Sequence, residues 1–472
     1  MAFGKAAMPQ QLGDVLVLGL GKTGRDVALY LTSLVGRVSS VTLYGGLSAQ
    51  AGPDVDALEA AGVRVVNGTE DVAGHYDLAI ASPGISPKTA FFQAAAAHAT
   101  EIIGEPEFAY RESPARWVAI TGTNGKTTTT ALTRELLVAG GLAAEAVGNI
   151  GTLITSTLAD RAEGSWYVAE LSSFQLETTR YLHPRVACLL NVTPDHLGWH
   201  GSMEAYAAAK EKVFQNMGSG DLAVVSCEDD WCRAIIERLE ARGLRVAWLS
   251  TGEDPQAPCA AFVRDGALVV RLDGAERVVA QVAELPIKGT HNVQNALAAS
   301  CMALEVGVSA DDVRAGLLAF SPLEHRIEPC GELDGVAYVN DSKATNTDSV
   351  EKALTAFEPG HIVLMLGGHD KGTDLTSLAE AATSCCAAIV CFGDAGPRMA
   401  EAVRACAPEG LTVACAEHLA DALDTAASLA HPGDVVLLSP ACSSFDEFKS
   451  FEHRGRVFKQ LVADRIARSV AR

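Results

Sequence analysis

The stretch Thr121-Gly-Thr-Asn-Gly-Lys-Thr-Thr-Thr-Thr130 decides how this 472-residue chain is read. An apolar run, Trp117-Val-Ala-Ile120, precedes it and has the composition of a buried parallel strand. Ala131-Leu-Thr-Arg-Glu-Leu-Leu-Val138 follows, with apolar residues at helical spacing. Strand, glycine loop, Lys-Thr and helix together form a phosphate cradle. Backbone N–H groups and the helix N-terminus face the anion, Lys126 meets the terminal phosphates, and Thr127 offers a hydroxyl to Mg²⁺. The general spelling of such loops has a glycine where this chain has Ile120, so the loop is a shortened variant. Read as a threonine-rich turn, it would leave Gly122, Gly125 and Lys126 as coincidences.

Outward from this loop the chain divides in three, at 1–112, 113–322 and 323–472. The first segment opens with a strand, Asp14-Val-Leu-Val-Leu-Gly19, then Gly19-Leu-Gly-Lys-Thr-Gly24 and a helix. Short strands near 41–44, 63–66 and 78–81 predict a small Rossmann-like sheet. A dinucleotide site would place an acid about 20 residues on, at the end of the second strand. Here that strand ends in Tyr44-Gly45-Gly46, which favours a diphosphate and argues against NAD. The central segment adds strands at 166–171, 186–191 and 222–226, a hairpin turning at Asp265-Gly266, and helices at 203–215, 231–242 and 292–306. The third repeats strand, loop and helix, with strands near 336–340, 362–366, 388–392, 411–414 and 435–439. That alternation predicts a doubly wound parallel sheet with ligand groups at the strand ends. The fold class expected is therefore α/β in three domains: an N-terminal Rossmann-like domain, a central P-loop-type ATPase domain and a C-terminal Rossmann-like domain.

Bulk properties narrow the function. The chain holds 37 Lys+Arg against 58 Asp+Glu, a formal charge of −21, which opposes nucleic acid or an anionic membrane as partner. No apolar run approaches the roughly 20 residues that span a bilayer, and the N-terminus has no signal-peptide core. The twelve cysteines lack paired CxxC spacing. Several (Cys188, Cys391, Cys415) lie in apolar strand-like runs, so buried free thiols in a reducing cytoplasm are expected. Anionic ligands must be held by a few placed cations: Lys126, Lys210, Arg326, Lys343 and Lys371.

Glu170 ends an apolar strand beside the phosphate loop, where a carboxylate either reaches solvent or supplies a Mg²⁺ ligand. His196 closes another strand exit, Asn191-Val-Thr-Pro-Asp-His196. On the helix after it, Met203, Tyr206, Lys210 and Val213 share one face. Lys210 there either snorkels outward or carries a carbamate, which would turn a Mg²⁺-repelling ammonium into an oxygen ligand.

Gly148-Asn-Ile-Gly151, Glu170-Leu-Ser-Ser-Phe-Gln-Leu-Glu177, Asn340-Asp-Ser-Lys-Ala-Thr-Asn346, Ser439-Pro-Ala-Cys-Ser-Ser-Phe-Asp-Glu-Phe-Lys-Ser-Phe451 and His453-Arg-Gly455 complete the pattern. With Thr121–Thr127 they resemble the Mur ligase family, specifically its D-glutamate-adding branch, from Gly19 to Arg454. The resemblance implies an ATP- and Mg²⁺-dependent amide ligase, monomeric and cytoplasmic, with UDP-N-acetylmuramoyl-L-alanine and D-glutamate as substrates and an acyl-phosphate intermediate. It implies that Gly21, Thr23 and Gly24 contact the UDP diphosphate, with Asn149, Ser172 and Gln175 on the sugar and uridine side. Gly122, Thr123, Asn124, Gly125, Lys126, Thr127 and Thr128 would cradle ATP. Asn292 and Asn295 would approach the nucleotide, Arg326 its phosphates and Asp341 its ribose. Thr127, Glu170, His196 and carbamylated Lys210 would ligate the metal, and Lys343 would steady the acyl phosphate. Thr345, Lys371, Ser444, Phe445 and Phe451 would receive D-glutamate. Lys126, His196, Lys210 and Lys343 are thereby the catalytic candidates.

Two departures stand out. Gly45-Gly46 replaces an acid often used for uracil, and Leu197-Gly198-Trp199 follows His196 where the family often has Asp-Arg. Rival readings are an L-alanine-adding ligase or folylpolyglutamate synthase, an NAD-dependent oxidoreductase resting on GxGxxG alone, and a non-catalytic nucleotide-binding module.

Overall fold

The computed structural model describes residues 7–470 except 51, 322, 323 and 371. The chain forms two compact units: Met1–Leu285 with Gln294–Ala319, and Pro286–Val293 with Phe320–Arg472.

The first unit contains two sheets. Strands β1 (Gly13–Leu18), β2 (Val38–Gly46), β3 (Arg64–Asn67), β4 (Leu78–Ala81) and β5 (Ile102–Gly104) form a parallel sheet ordered β3-β2-β1-β4-β5. The helix Lys22–Ser33 leaves β1 through the glycine turn. A Cβ on Gly24 would lie 1.8 Å from the Gly19 carbonyl oxygen, so only glycine lets the helix start this close to the strand end.

The second sheet is built from β6 (Trp117–Thr121), β7 (Ala144–Gly148), β8 (Trp166–Glu170), β9 (Val186–Leu189), β10 (Leu222–Ser226), β11 (Arg245–Leu249), β12 (Cys259–Arg264), β13 (Ala267–Leu272) and β14 (Ala275–Gln281). Its order is β14-β13-β12-β11-β10-β9-β6-β8-β7. The strand before the phosphate loop, β6, is buried throughout and flanked by β8 and β9. The chain runs to one side of β6 for β7 and β8, then crosses to the other for β9, β10 and β11. Ligands of α/β sheets bind where order reverses in this way. The β12–β13 hairpin is antiparallel, and Asp265 and Gly266 both take left-handed φ, 52° and 73°, as a primed two-residue turn demands.

In the second unit β15 (Glu328–Leu333), β16 (Val336–Asn340), β17 (Ile362–Gly367), β18 (Cys386–Phe392), β19 (Thr412–Ala416) and β20 (Val435–Ala441) form a sheet ordered β15-β16-β20-β17-β18-β19. Five strands are parallel, as the alternating pattern predicts. The sheet is nevertheless mixed, because β15 adds an antiparallel edge. All twelve cysteines are free. Cys188 and Cys391 are buried, but Cys415 is exposed, because β19 is an edge strand. Among the described residues no helix is long and apolar enough to cross a membrane.

Candidate functional site

The phosphate loop leaves β6 at Gly122 and enters the helix Lys126–Ala139 through Gly125, whose φ of 83° is left-handed. A Cβ at Gly125 would meet Asn295 Oδ1 at 2.5 Å, so helix Thr290–Glu305 packs directly on the loop. Asn295 also accepts from Thr129 Oγ1 at 3.1 Å. Lys126 folds back over the loop, donating to the carbonyls of Gly122 at 2.9 Å and Thr123 at 2.7 Å.

Sequence reading missed the residue that shapes this loop. Asn191, just past β9, accepts through Oδ1 from the N–H groups of Thr123 (3.1 Å) and Asn124 (2.9 Å), and its amide donates to the Asn124 carbonyl at 3.2 Å. One side chain thus fixes the plane in which the loop amides lie. Asn191→Ala removes the side-chain bonds to Asn124, while the Thr123 N–H keeps the Asn191 carbonyl at 3.0 Å; it is expected to weaken nucleotide binding about tenfold, the worth of roughly one lost hydrogen bond, read by calorimetric titration with Mg·ATP.

Around Gly122 the other candidates converge. Lys210 does not snorkel: it is 1% exposed, and its Nζ donates to the Gly122 carbonyl at 2.7 Å while lying 4.4 Å from the Tyr206 ring centre. Lys126 and Lys210 therefore share one acceptor. Burial above all, then the charge of Lys126, pushes the Lys210 amine well below the usual lysine range. Tyr206 is tied to the loop through Thr123 Oγ1 at 3.1 Å and lies 6.5 Å from the His196 ring.

Glu170 is the register partner of Ile120, and only 1% exposed. It does not reach solvent. Its Oε1 accepts from Asn149 Nδ2 at 2.7 Å, while Oε2 is buried without a partner. A buried, unsatisfied carboxylate oxygen beside a phosphate loop fits a cation ligand. His196 sits in the left-handed region (φ 53°), half exposed, against Phe174 at 4.8 Å. Among the described residues no group of three or more His, Cys, Asp or Glu side chains is arranged to hold a metal. The proposed set of Thr127, Glu170, His196 and Lys210 fits Mg²⁺ only if Lys210 supplies oxygen in place of its ammonium.

The N-terminal sheet contributes a cavity of about 380 Å³ bordered by Gly21, Gly45, Ser48, Gln50 and Asp54. Gly45 explains the missing acid, since a Cβ there would come within 2.5 Å of Asn67 Oδ1 and of Ala49. Gly21 and Thr23 open the helix Lys22–Ser33, at its amide-bearing end. Lys22, unassigned by sequence, donates to Gly151 at 2.6 Å and so links this turn to the Gly148–Gly151 loop. Ser172 and Gln175 are engaged with one another as a capping box for the helix Ser173–Glu177, so their first role is structural.

In the second unit, the ends of the adjacent strands β16, β20 and β17 carry the Asp341–Lys343, Ser439–Ser444 and Gly367–Asp370 clusters. Lys371 lies outside the described residues. Lys343 is 4.3 Å from the Phe451 ring centre. Ser444 is 1% exposed with an unpartnered Oγ, whereas Phe445 is 70% exposed. Asn292 donates to the Lys288 carbonyl at 2.8 Å. Arg326 lies between two left-handed residues, His325 and Ile327, and Thr345 directly precedes Asn346, the cap of the helix Thr347–Leu354.

Asp341 accepts from Ser439 at 2.7 Å, and burial raises its pKa to about 7, opposed by that hydrogen bond and by Arg326. Folding then takes up a proton here between about pH 4 and 7, so stability falls as pH rises through that window, by at most about 4 kcal/mol. Melting wild type beside Asp341→Asn from pH 5 to 8 should show wild type losing ground as pH rises. Parallel curves would remove Asp341 as the source.

Residues 120–303 match the Mur ligase middle domain, and residues 325–442 match the Mur ligase glutamate ligase domain. The chain belongs to the Mur ligase family. Its relatives include the UDP-N-acetylmuramoylalanine–D-glutamate ligase of Koribacter versatilis, 39% identical over 451 residues, covering 95% of this chain and 96% of that protein. The enzyme of the same name from Acidobacterium capsulatum is 40% identical over 453 residues, 95% of each chain. Among solved structures, a pseudomurein peptide ligase type C from Methanothermus fervidus superposes with TM-score 0.60 at 16% identity, over 96% of this chain and 99% of that one. MurF from Acinetobacter baumannii gives TM-score 0.60 at 19% identity, over 90% and 91%. These two speak to the fold alone.

Proposed function

We propose that this chain joins D-glutamate to UDP-N-acetylmuramoyl-L-alanine at the expense of ATP, as a cytoplasmic monomer in peptidoglycan precursor synthesis. The observation that carries the reading is the meeting of Lys126 and Lys210 at the Gly122 carbonyl, one strand from the unpartnered oxygen of Glu170. That is a place for phosphate and a divalent cation. The extent of similarity to D-glutamate ligases supplies the substrates.

A carboxylate is a poor electrophile, and its transformation to an acyl phosphate supplies a leaving group. The γ-phosphoryl of ATP passes to the substrate carboxylate and ADP leaves. The amine of D-glutamate then attacks the acyl carbon, the tetrahedral adduct expels phosphate, and the nitrogen gives up its proton. Gly122–Thr128 hold the ATP phosphates, with Asn292 and Asn295 near the nucleotide, Arg326 on phosphate and Asp341 on ribose. Lys343 meets the acyl phosphate, while Thr345, Lys371, Ser444, Phe445 and Phe451 receive D-glutamate. Gly21, Thr23 and Gly24 meet the diphosphate, and Asn149, Ser172 and Gln175 the adjoining part of that substrate. Positioning and charge neutralisation carry most of the rate.

Mg²⁺, held by Thr127, Glu170, His196 and carbamylated Lys210, would neutralise phosphate charge. The neutral Lys210 amine adds to CO₂, forming an N–C bond and releasing a proton, which leaves a carbamate anion. Divided at 112/113 and 322/323, the first part would take the UDP diphosphate, the second ATP and the adjoining part of the UDP substrate, and the third the amino acid.

The test is phosphate release by purified protein with Mg·ATP and UDP-N-acetylmuramoyl-L-alanine. D-glutamate should stimulate it. Stimulation by L-alanine or a folate, and not by D-glutamate, would overturn the reading.

A further inference from the structure

Arg454, on the helix Phe451–Val470, is 0% exposed, yet its four hydrogen bonds all go to neutral groups. Nε donates to Ser342 Oγ at 3.0 Å, and Nη2 to the Ser342 carbonyl at 2.9 Å. Nη2 also reaches the Cys442 carbonyl at 2.9 Å, and Nη1 the Ser443 carbonyl at 3.3 Å. The first two acceptors lie on the loop after β16, the others on the loop after β20. One planar fork therefore binds two strand exits together.

Burying a guanidinium with no carboxylate hydrogen-bonded to it is costly, and an apolar side chain of similar size would serve stability as well or better. The arrangement makes sense through what it holds. Lys343 follows Ser342 directly, and Ser444 follows Ser443. Ser342 Oγ also donates to the Phe451 carbonyl at 2.8 Å, and the Phe451 ring lies beneath the Lys343 ammonium. The tie thus holds the loop that carries a cation, Lys343, to the loop that carries an unspent hydroxyl, Ser444. Burial lowers the Arg454 pKa to about 10, opposed chiefly by Asp446, so the group stays charged at neutral pH. A lysine at this position is a point charge and cannot serve acceptors on both loops in one plane.

We propose that Arg454 is a positioning residue for amide formation: it holds the Lys343 loop and the Ser444 loop in one arrangement, so amino-acid capture and acyl-phosphate stabilisation depend on it together. This rests on the proposed function. The experiment compares Arg454→Met and Arg454→Lys with wild type, measuring kcat, KM for D-glutamate, and Mg·ATP affinity by calorimetry. Arg454→Met should raise KM for D-glutamate and lower kcat by about tenfold or more each, with ATP affinity within about twofold, and Arg454→Lys should fall between it and wild type. A folded Arg454→Met with wild-type KM for D-glutamate overturns the proposal, as does a Lys variant no better than the Met variant. Should neither variant give a cooperative melt, Ser342→Ala removes one acceptor and the Phe451 link. It should raise KM for D-glutamate about fivefold, and an unchanged KM overturns the idea. Wild-type protein that releases no phosphate on adding D-glutamate sinks the proposed function itself, and this inference with it.

Discussion

Lys126→Ala is expected to lower D-glutamate-dependent phosphate release on the order of 10³-fold in kcat, the scale of losing one preorganised charge at a transition state. The protein carries a formal charge of −21, so its long-range field resists ATP and the UDP substrate alike. Binding and rate must come from local cations. Lys126 rests on the carbonyls of Gly122 and Thr123, within its own loop. It is therefore held where a phosphate would exchange those neutral acceptors for anionic oxygens at little reorganisation cost. Steady-state assays at saturating substrate check this. A loss smaller than about tenfold would mean the loop amides alone carry the charge.

Lys210→Ala should lose on the order of 10²-fold in kcat and recover severalfold with a short-chain carboxylate at tens of millimolar. Two features support the size of the effect. The side chain is buried, so an untreated ammonium there would repel a divalent ion. Its lowered basicity favours the neutral amine that addition to CO₂ requires. The variant should still fold, because the Gly122 carbonyl keeps its bond from Lys126. Wild-type turnover by Lys210→Ala would remove the carbamate from the mechanism, and so would a loss that added carboxylate leaves untouched.

Features set by neighbouring residues were legible in the sequence. The strands at Leu78–Ala81 and Val336–Asn340 and the turn at Asp265-Gly266 follow from runs and turn residues a few positions long. Features set by distant partners were not. Helical spacing placed Lys210 on an apolar face, but its direction is decided by a carbonyl 88 residues earlier in the chain. Asn191 is one polar residue at a strand exit until the loop folds under it. Strand β15 escaped notice because Pro329 and Gly331 break its pattern, with a register shift between them. The absent acid at Gly45 reads as a lost contact in sequence and as a packing requirement in space. At Ser172 and Gln175 the Ser-x-x-Gln spacing also spells a helix cap, and both side chains form one.

The scatter of unbridged thiols gives the molecule an internal gauge of opening. Cys406 and Cys415 face solvent, one on a helix and one on an edge strand of the second unit, and an alkylating reagent should find them first. Cys188, Cys232 and Cys301 are sealed in the first unit and held far above the ordinary thiol range by burial. Their labelling must wait for the surrounding sheet to breathe. Timed alkylation followed by peptide mass analysis would therefore time the breathing of the first unit, with the pair on the second unit serving as the fast reference.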